Sequence, residues 1–132
     1  MFLNRLKKEE KVSFLELAHY IARSDNNFSE EERVVINLYC MEMQIDDINY
    51  DESSFSLENT LKKINSPESQ KIILLEIMAL VYSDDNLHIK EKETLDLIVK
   101  EFGLNPVHVD IYAQWSKSIL ALTNQGEALL HL

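Results

Sequence analysis

Apolar residues recur at intervals of three and four along most of the chain, the period of a helix with one buried face, and Gly and Pro interruptions are rare. The pattern predicts an all-α fold without a sheet. A first helix is expected from about Glu9 to Arg23, with Val12, Leu15, Ala18, Ile21 and Ala22 as its core stripe. Ser29 followed by Glu32 is a capping box, and it opens a second helix that runs to about Met43. Asp46 or Asp47 can cap a short turn, and Leu57, Leu61 and Ile64 mark a short helix between Ser56 and Ile64. Ser66 before Pro67 is the clearest start signal, because proline at the first helical position gives up no needed N–H; that helix reaches about Tyr82. Another runs from about Ile89 to Phe102 and stops at Gly103, a natural left-handed cap. Asn105 before Pro106 starts the last long helix, through Ile111, Trp115, Ile119 and Leu122, and the apolar stretch after Thr123 is read as a short tail.

Two segments repeat without a gap at an offset of 59 residues. Ser24 to Glu32 (SDNNFSEEE) lies over Ser83 to Glu91 (SDDNLHIKE), keeping Ser, Asp, Asn and the final Glu. The register continues forward, with Leu38 over Leu97, Tyr39 over Ile98, Glu42 over Glu101 and Met43 over Phe102, and backward, with Ile21 over Leu80 and Ala22 over Val81. Each copy reads as helix, acidic elbow, helix, and neither hairpin can bury its apolar face alone. The expected architecture is therefore a compact bundle of about six or seven helices. Two such hairpins, about residues 9–47 and 67–106, would be related by a pseudo-twofold axis. The second and fourth helices, roughly 30–43 and 67–82, are apolar on nearly all sides and are expected in contact near its centre.

Composition narrows the class. The 132 residues suit a single domain, 1–132, and 45% hydrophobic content is enough for a core. One cysteine, Cys40, leaves no internal disulfide and no thiolate-rich zinc site, and the start shows no apolar secretion leader, so a reducing, cytoplasmic setting is expected. No apolar run is long enough to span a bilayer. The formal net charge is −10, and between Asp25 and Glu58 ten carboxylates face one base, Arg33. Such a field repels nucleic acid and favours cations or a basic protein surface as partner. The start, with Arg5, Lys7, Lys8 and Lys11 among Phe2, Leu3 and Leu6, offers only a weak case for peripheral membrane contact. The apolar end (Leu129, Leu130, Leu132) suits either a homo-oligomer contact or docking on the core.

The elbows carry the candidate chemistry. In each copy an Asp closes one helix and a Glu seven residues later opens the next: Asp25 with Glu32, and Asp84 with Glu91. Carboxylates on one tight elbow can ligate a hard cation, and an oxygen-only set favours Ca2+, Mg2+ or Mn2+ over zinc. The competing reading is that these acids cap helix N-termini. An EF-hand is excluded: Glu30 stands where its loop needs Gly and Ile36 where it needs Glu, and Ile89 and Leu95 hold those places in the second copy.

The paired phrases SDNNFSEEE and SDDNLHIKE, each between two apolar helices, resemble the repeated acidic elbow of the tellurite-resistance TerB family, small helical domains also found fused to J-domain co-chaperones. The resemblance spans roughly residues 9–120. It implies a helical bundle with a metal-chelating face in a stress-response family without an established catalytic activity, and places the family's acidic elbow on Asp25, Glu32, Asp84 and Glu91. The chain departs from the family where Gly commonly follows the Asp, carrying Asn26 and Asp85, residues that tolerate left-handed backbone. It has no His-Pro-Asp motif of a J-domain.

Other residues are read as structural. Cys40 is expected as a buried small hydrophobe; His19, His88, His108 and His131 show no ligand spacing; Tyr20, Tyr39, Tyr82, Tyr112 and Trp115 are core or interface anchors. Glu76, set among Leu74, Leu75, Ile77 and Met78, is expected at an edge or paired with Lys or Tyr. With no nucleophile elbow and no phosphate loop, the chain is read as a non-enzymatic binding or scaffold module; a metal-assisted hydrolase is the alternative.

Overall fold

The computed structural model describes residues 1–24, 28–82 and 89–132. A 3-10 turn at Leu3–Arg5 precedes α1 (Lys8–Ala22), α2 (Glu30–Met43), α3 (Leu57–Lys62), α4 (Pro67–Val81), α5 (Ile89–Glu101) and α6 (Pro106–Leu130). The fold is an all-α bundle, with no strand among the described residues. No described helix is long and apolar enough to cross a membrane.

Local chemistry sets the helix ends. Glu32 N–H donates to Ser29 Oγ at 3.1 Å, and Ser29 N–H donates back to Glu32 Oε1 at 3.1 Å, closing the capping box of α2. At α1 the Glu10 carboxylate accepts the Lys7 N–H at 2.9 Å. Pro67 and Pro106 each follow a capping side chain, Ser66 and Asn105, which accept from Ser69 N–H at 3.4 Å and Val107 N–H at 3.0 Å. Both α2 and α5 end in a Schellman turn. Gln44 (φ 56°) and Gly103 (φ 64°) take the left-handed position, and the following Ile45 and Leu104 N–H groups reach back to Cys40 O and Val99 O.

α4 sits at the centre, packed against α1, α5, α6 and the 3-10 turn, while α1 also touches α2 and α3. The core joins Phe14, Leu15, Leu17 and Ile21 of α1 to Ile73, Leu74, Ile77 and Leu80 of α4, and each such burial contributes roughly 1.5–3 kcal/mol. Leu3 and Leu6 are buried in the same core, so the apolar side chains of the basic start are largely taken up inside the bundle. The 59-residue register is visible in the burial: every buried position of α1 falls on a buried position of α4, from Glu10 over Ser69 to Ala22 over Val81. Glu32, Ile36, Tyr39 and Met43 fall on Glu91, Leu95, Ile98 and Phe102, all buried.

Four expectations need correction. Val12, expected in the core stripe of α1, lies on its exposed side at 37% exposure. α2 touches α4, with Tyr39 Oη donating to Glu76 O at 2.8 Å, but it is peripheral rather than central. It buries a single stripe, and Val34, Leu38 and Met41 project into solvent at 54%, 55% and 73% exposure. A composition that is apolar on several sides did not reveal that only one side has a neighbour. The last helix continues through Gly126 to Leu130, because the good helix formers Gln125, Glu127, Ala128, Leu129 and Leu130 outweigh the cost of about 1 kcal/mol that one glycine imposes. Cys40 is half-buried rather than buried, since it lies at the edge of the same outward-facing helix.

These positions give a direct stability contrast. Ile77→Ala is expected to cost about 2–5 kcal/mol by urea unfolding, as for a fully buried aliphatic side chain, and Leu38→Ala less than about 0.5 kcal/mol. Equal costs at the two sites would contradict the placement of α4 inside and of the Leu38 face outside.

Candidate functional site

Of the four elbow carboxylates, Glu32 and Glu91 lie in the first turns of α2 and α5, both buried, at 4% and 2% exposure. Asp25 and Asp84 lie outside the described residues. Glu32 Oε1 accepts from both the N–H and the hydroxyl of Ser29, at 3.1 and 3.0 Å, so this carboxylate performs the capping task. Among the described residues, no group of three or more His, Cys, Asp or Glu side chains gathers as a metal-binding set.

Next to the first elbow, α1, α2 and the segments that flank α2 border a largely polar pocket of about 140 Å3 lined by His19, Arg23, Phe28, Arg33, Ile36, Asn37 and Asp47. His19 is almost wholly buried, and its Nε2 lies 2.8 Å from Asp47 Oδ1, while an Arg23 guanidinium nitrogen lies 3.5 Å from its Nδ1. An ionised carboxylate only accepts and a guanidinium only donates, so these neighbours make Nε2 the donor and Nδ1 the acceptor. Asp47 also accepts the Ile48 N–H at 2.8 Å. The guanidinium carbons of Arg23 and Arg33 each lie 4.5 Å from the Phe28 ring centroid, and Tyr50 stacks on His19 at 5.6 Å. Sequence reasoning passed over this cluster because it sought histidines at metal-ligand spacing. The available signal was His19 and Arg23 four apart on one helix face; Asp47 joins them only through the fold.

The outer side of α2 forms a second feature. Asn37, Cys40, Met41 and Gln44 border a shallow depression of about 700 Å3 with Ile45, Asp46 and Asp47. Burial, together with the charges of Asp47 and Asp46, pushes the Cys40 thiol up to about 11. The thiol is therefore protonated at neutral pH, a poor nucleophile.

The Glu76 side chain is buried rather than at an edge, and Tyr39 bonds its backbone carbonyl while the carboxylate accepts from the chain start. It shares the Met1 ammonium with Glu42, both at 2.7 Å, and Glu42 also accepts the Leu3 N–H at 2.8 Å. This ties the first residues to α2 and α4. Burial opposes the ammonium charge, but the hydrogen bonds and charges of Glu42 and Glu76 outweigh it and raise its pKa above the ordinary 8.0. Burial, with the charges of Glu76 and Glu42, also holds the Tyr39 phenol well above its usual 10.0.

Searches against protein-family models, curated proteins and solved structures find no match to this chain.

Two measurements follow from the titrating groups. Alkylation of Cys40 by iodoacetamide should be slow at pH 7.5 and accelerate up to about pH 11, whereas a rate already on a plateau by pH 9 would contradict the raised thiol pKa. A raised ammonium pKa contributes stability that is complete below its unfolded value of 8.0 and is lost as pH rises through the folded value. The stability difference between the protein and its Glu76→Gln variant should accordingly shrink above pH 8.0, by a modest amount because the ammonium is half exposed. A difference constant to pH 10 would count against the clasp.

Proposed function

We propose that this chain is a non-enzymatic, TerB-like protein-interaction module, built from two copies of a helix–elbow–helix unit about a pseudo-twofold axis, whose outer α2 face takes a basic amphipathic helix. The two-copy architecture is supported by the matched burial of α1 with α4 and of α2 with α5, and by the paired Schellman turns. It is also supported by the contact of register partners, Ser69 Oγ donating to Glu10 Oε1 at 3.1 Å, as expected of equivalent residues close to an axis. The observation that carries the functional reading is the unpartnered stripe of Val34, Leu38 and Met41 on α2, bordered by the exposed carboxylates of Glu30, Glu31, Asp46 and Asp47. An apolar line at helical spacing inside an acidic rim matches a helix with one apolar and one basic face. Stress response, including tellurite resistance, is the setting the family resemblance suggests.

Fluorescence anisotropy with a labelled Leu/Lys amphipathic peptide tests this reading. Saturable binding is expected, weakened by added salt and by at least about tenfold in a Leu38→Asp, Met41→Asp variant, while a Leu/Glu peptide of the same pattern should not bind. Equal binding of the two peptides, or binding unaffected by the variant, would overturn it.

A second reading concerns the elbows and is favoured by the matched burial of Glu32 and Glu91. In it, Asp25, Glu32, Asp84 and Glu91 hold Ca2+, Mg2+ or Mn2+, and the cation steadies the binding module. Calorimetric titration of chelator-treated protein should then give saturable heat that disappears in an Asp25→Asn, Asp84→Asn variant. Absence of heat at millimolar metal leaves Glu32 and Glu91 as helix-capping acids.

A further inference from the structure

The residues that line the polar pocket between α1 and α2 are not repeated in the second half of the chain. At the 59-residue register, Met78 stands in place of His19, Tyr82 in place of Arg23, Lys92 in place of Arg33, Asp96 in place of Asn37 and Pro106 in place of Asp47. Met78 is buried to the same degree as His19, at 2% and 3% exposure. A thioether therefore fills the corresponding position of α4, and helix packing alone does not call for an imidazole there. A buried histidine needs two hydrogen-bond partners that methionine does not. Asp47 and Arg23 supply them, and together they shape a cavity rather than fill one.

Charge around the cavity is unlike the surface around it. In a chain of net charge −10, Arg33 is the only base between Asp25 and Glu58, and it meets Arg23 at this cavity. Among the described residues one carboxylate, Asp47, lines the cavity, and its Oδ1 already accepts from His19 and from the Ile48 N–H. Glu30 approaches Arg33 Nε from outside at 3.8 Å, an exposed pair that solvent screens. A guanidinium presents five donors in a planar fork, and the described contacts of Arg23 and Arg33 are dominated by ring faces rather than by acceptors. Both guanidiniums stack on Phe28, Arg23 also giving one nitrogen to His19 Nδ1 and Arg33 its Nε to Glu30. The volume, about 140 Å3, admits one small anion and falls below the ~300–1,000 Å3 of sites for larger organic ligands.

We propose that this pocket binds a small tetrahedral oxyanion of the phosphate class, held by the guanidiniums of Arg23 and Arg33, with the Asn37 amide as a further donor and His19 positioning Arg23 through Nδ1. His19 is a positioning residue. Free phosphate and the phosphoryl group of a small monoester present the same chemistry to these donors, and the two are separated by experiment.

The test is NMR titration of the isotope-labelled full chain with inorganic phosphate, and separately with O-phosphoserine, at constant ionic strength set by chloride. Saturable shifts are expected at Arg23, Arg33 and the His19 ring, and the two ligands should compete. Arg23→Gln with Arg33→Gln should weaken binding by at least about tenfold, as charge-assisted forks are removed. Lys92→Gln, at the register partner of Arg33, should leave it unchanged. His19→Met, which copies the residue of the second half, should weaken binding and preserve the helical circular dichroism. Tighter binding of O-phosphoserine assigns the monoester as ligand, and equal or tighter binding of phosphate assigns the free ion. Shifts that stay linear to about 20 mM, or saturable binding that survives the double arginine substitution, would overturn the proposal.

Discussion

The packing of α1 on α4 is the constraint from which the rest of the structure follows. Both helices are buried at the same register positions, and between them they bring Phe14, Leu17, Ile21, Ile73, Ile77 and Leu80 into one core. Everything else is arranged around that pair. α6 and α5 cover α4, α3 and α2 cover α1, and the 3-10 turn closes against α2 and α4. Because the central pair already buries the largest apolar faces, α2 and α5 each need only one stripe to attach. The remaining sides of α2 are left to face solvent.

Polar groups inside this core are few and each is answered. Glu10 accepts the hydroxyl of Ser69 and the N–H of Lys7, Ser116 donates to Leu75 O at 3.1 Å, and Tyr39 donates to Glu76 O. No buried side-chain nitrogen or oxygen among the described residues lacks a hydrogen bond. His19 differs from these, since its partners, Asp47 and the Arg23 guanidinium, line a cavity with it. The first half of the chain thus carries both the outward α2 face and the polar pocket. In the second half Glu93 and Lys100 stand in place of Val34 and Met41, and Met78 and Tyr82 in place of His19 and Arg23.

Much of the fold was legible in local signals that act over a few residues. The Ser29–Glu32 box, the Ser66–Pro67 and Asn105–Pro106 starts and the Gly103 stop each fell within a residue or so of the helix end, because caps satisfy backbone groups that only a terminus leaves open. The repeat was legible for the same reason, as its apolar phase and turn residues are both local. What depends on neighbours was not. Leu38 and Met41 look like core residues until it is known which side of α2 meets α1. Gln44 reproduces the left-handed turn of Gly103 without glycine, so the end of α2 carried no glycine signal of its own. The acids of the elbows were visible as a pattern, and the capping bonds of Glu32 join that pattern to the start of α2. The Asp47–His19 bond joins residues 28 positions apart, beyond the reach of any periodicity.

The most direct measurement of the central claim, that a core held by α1 and α4 leaves α2 free as a binding face, is an amide chemical-shift map of the labelled chain on addition of a basic amphipathic peptide. The account predicts perturbations concentrated at Val34, Leu38, Met41, Asp46 and Asp47, with the amides of α4 unaffected. Perturbations centred on α5 or α6, or spread through α4 as the core opens, would contradict it.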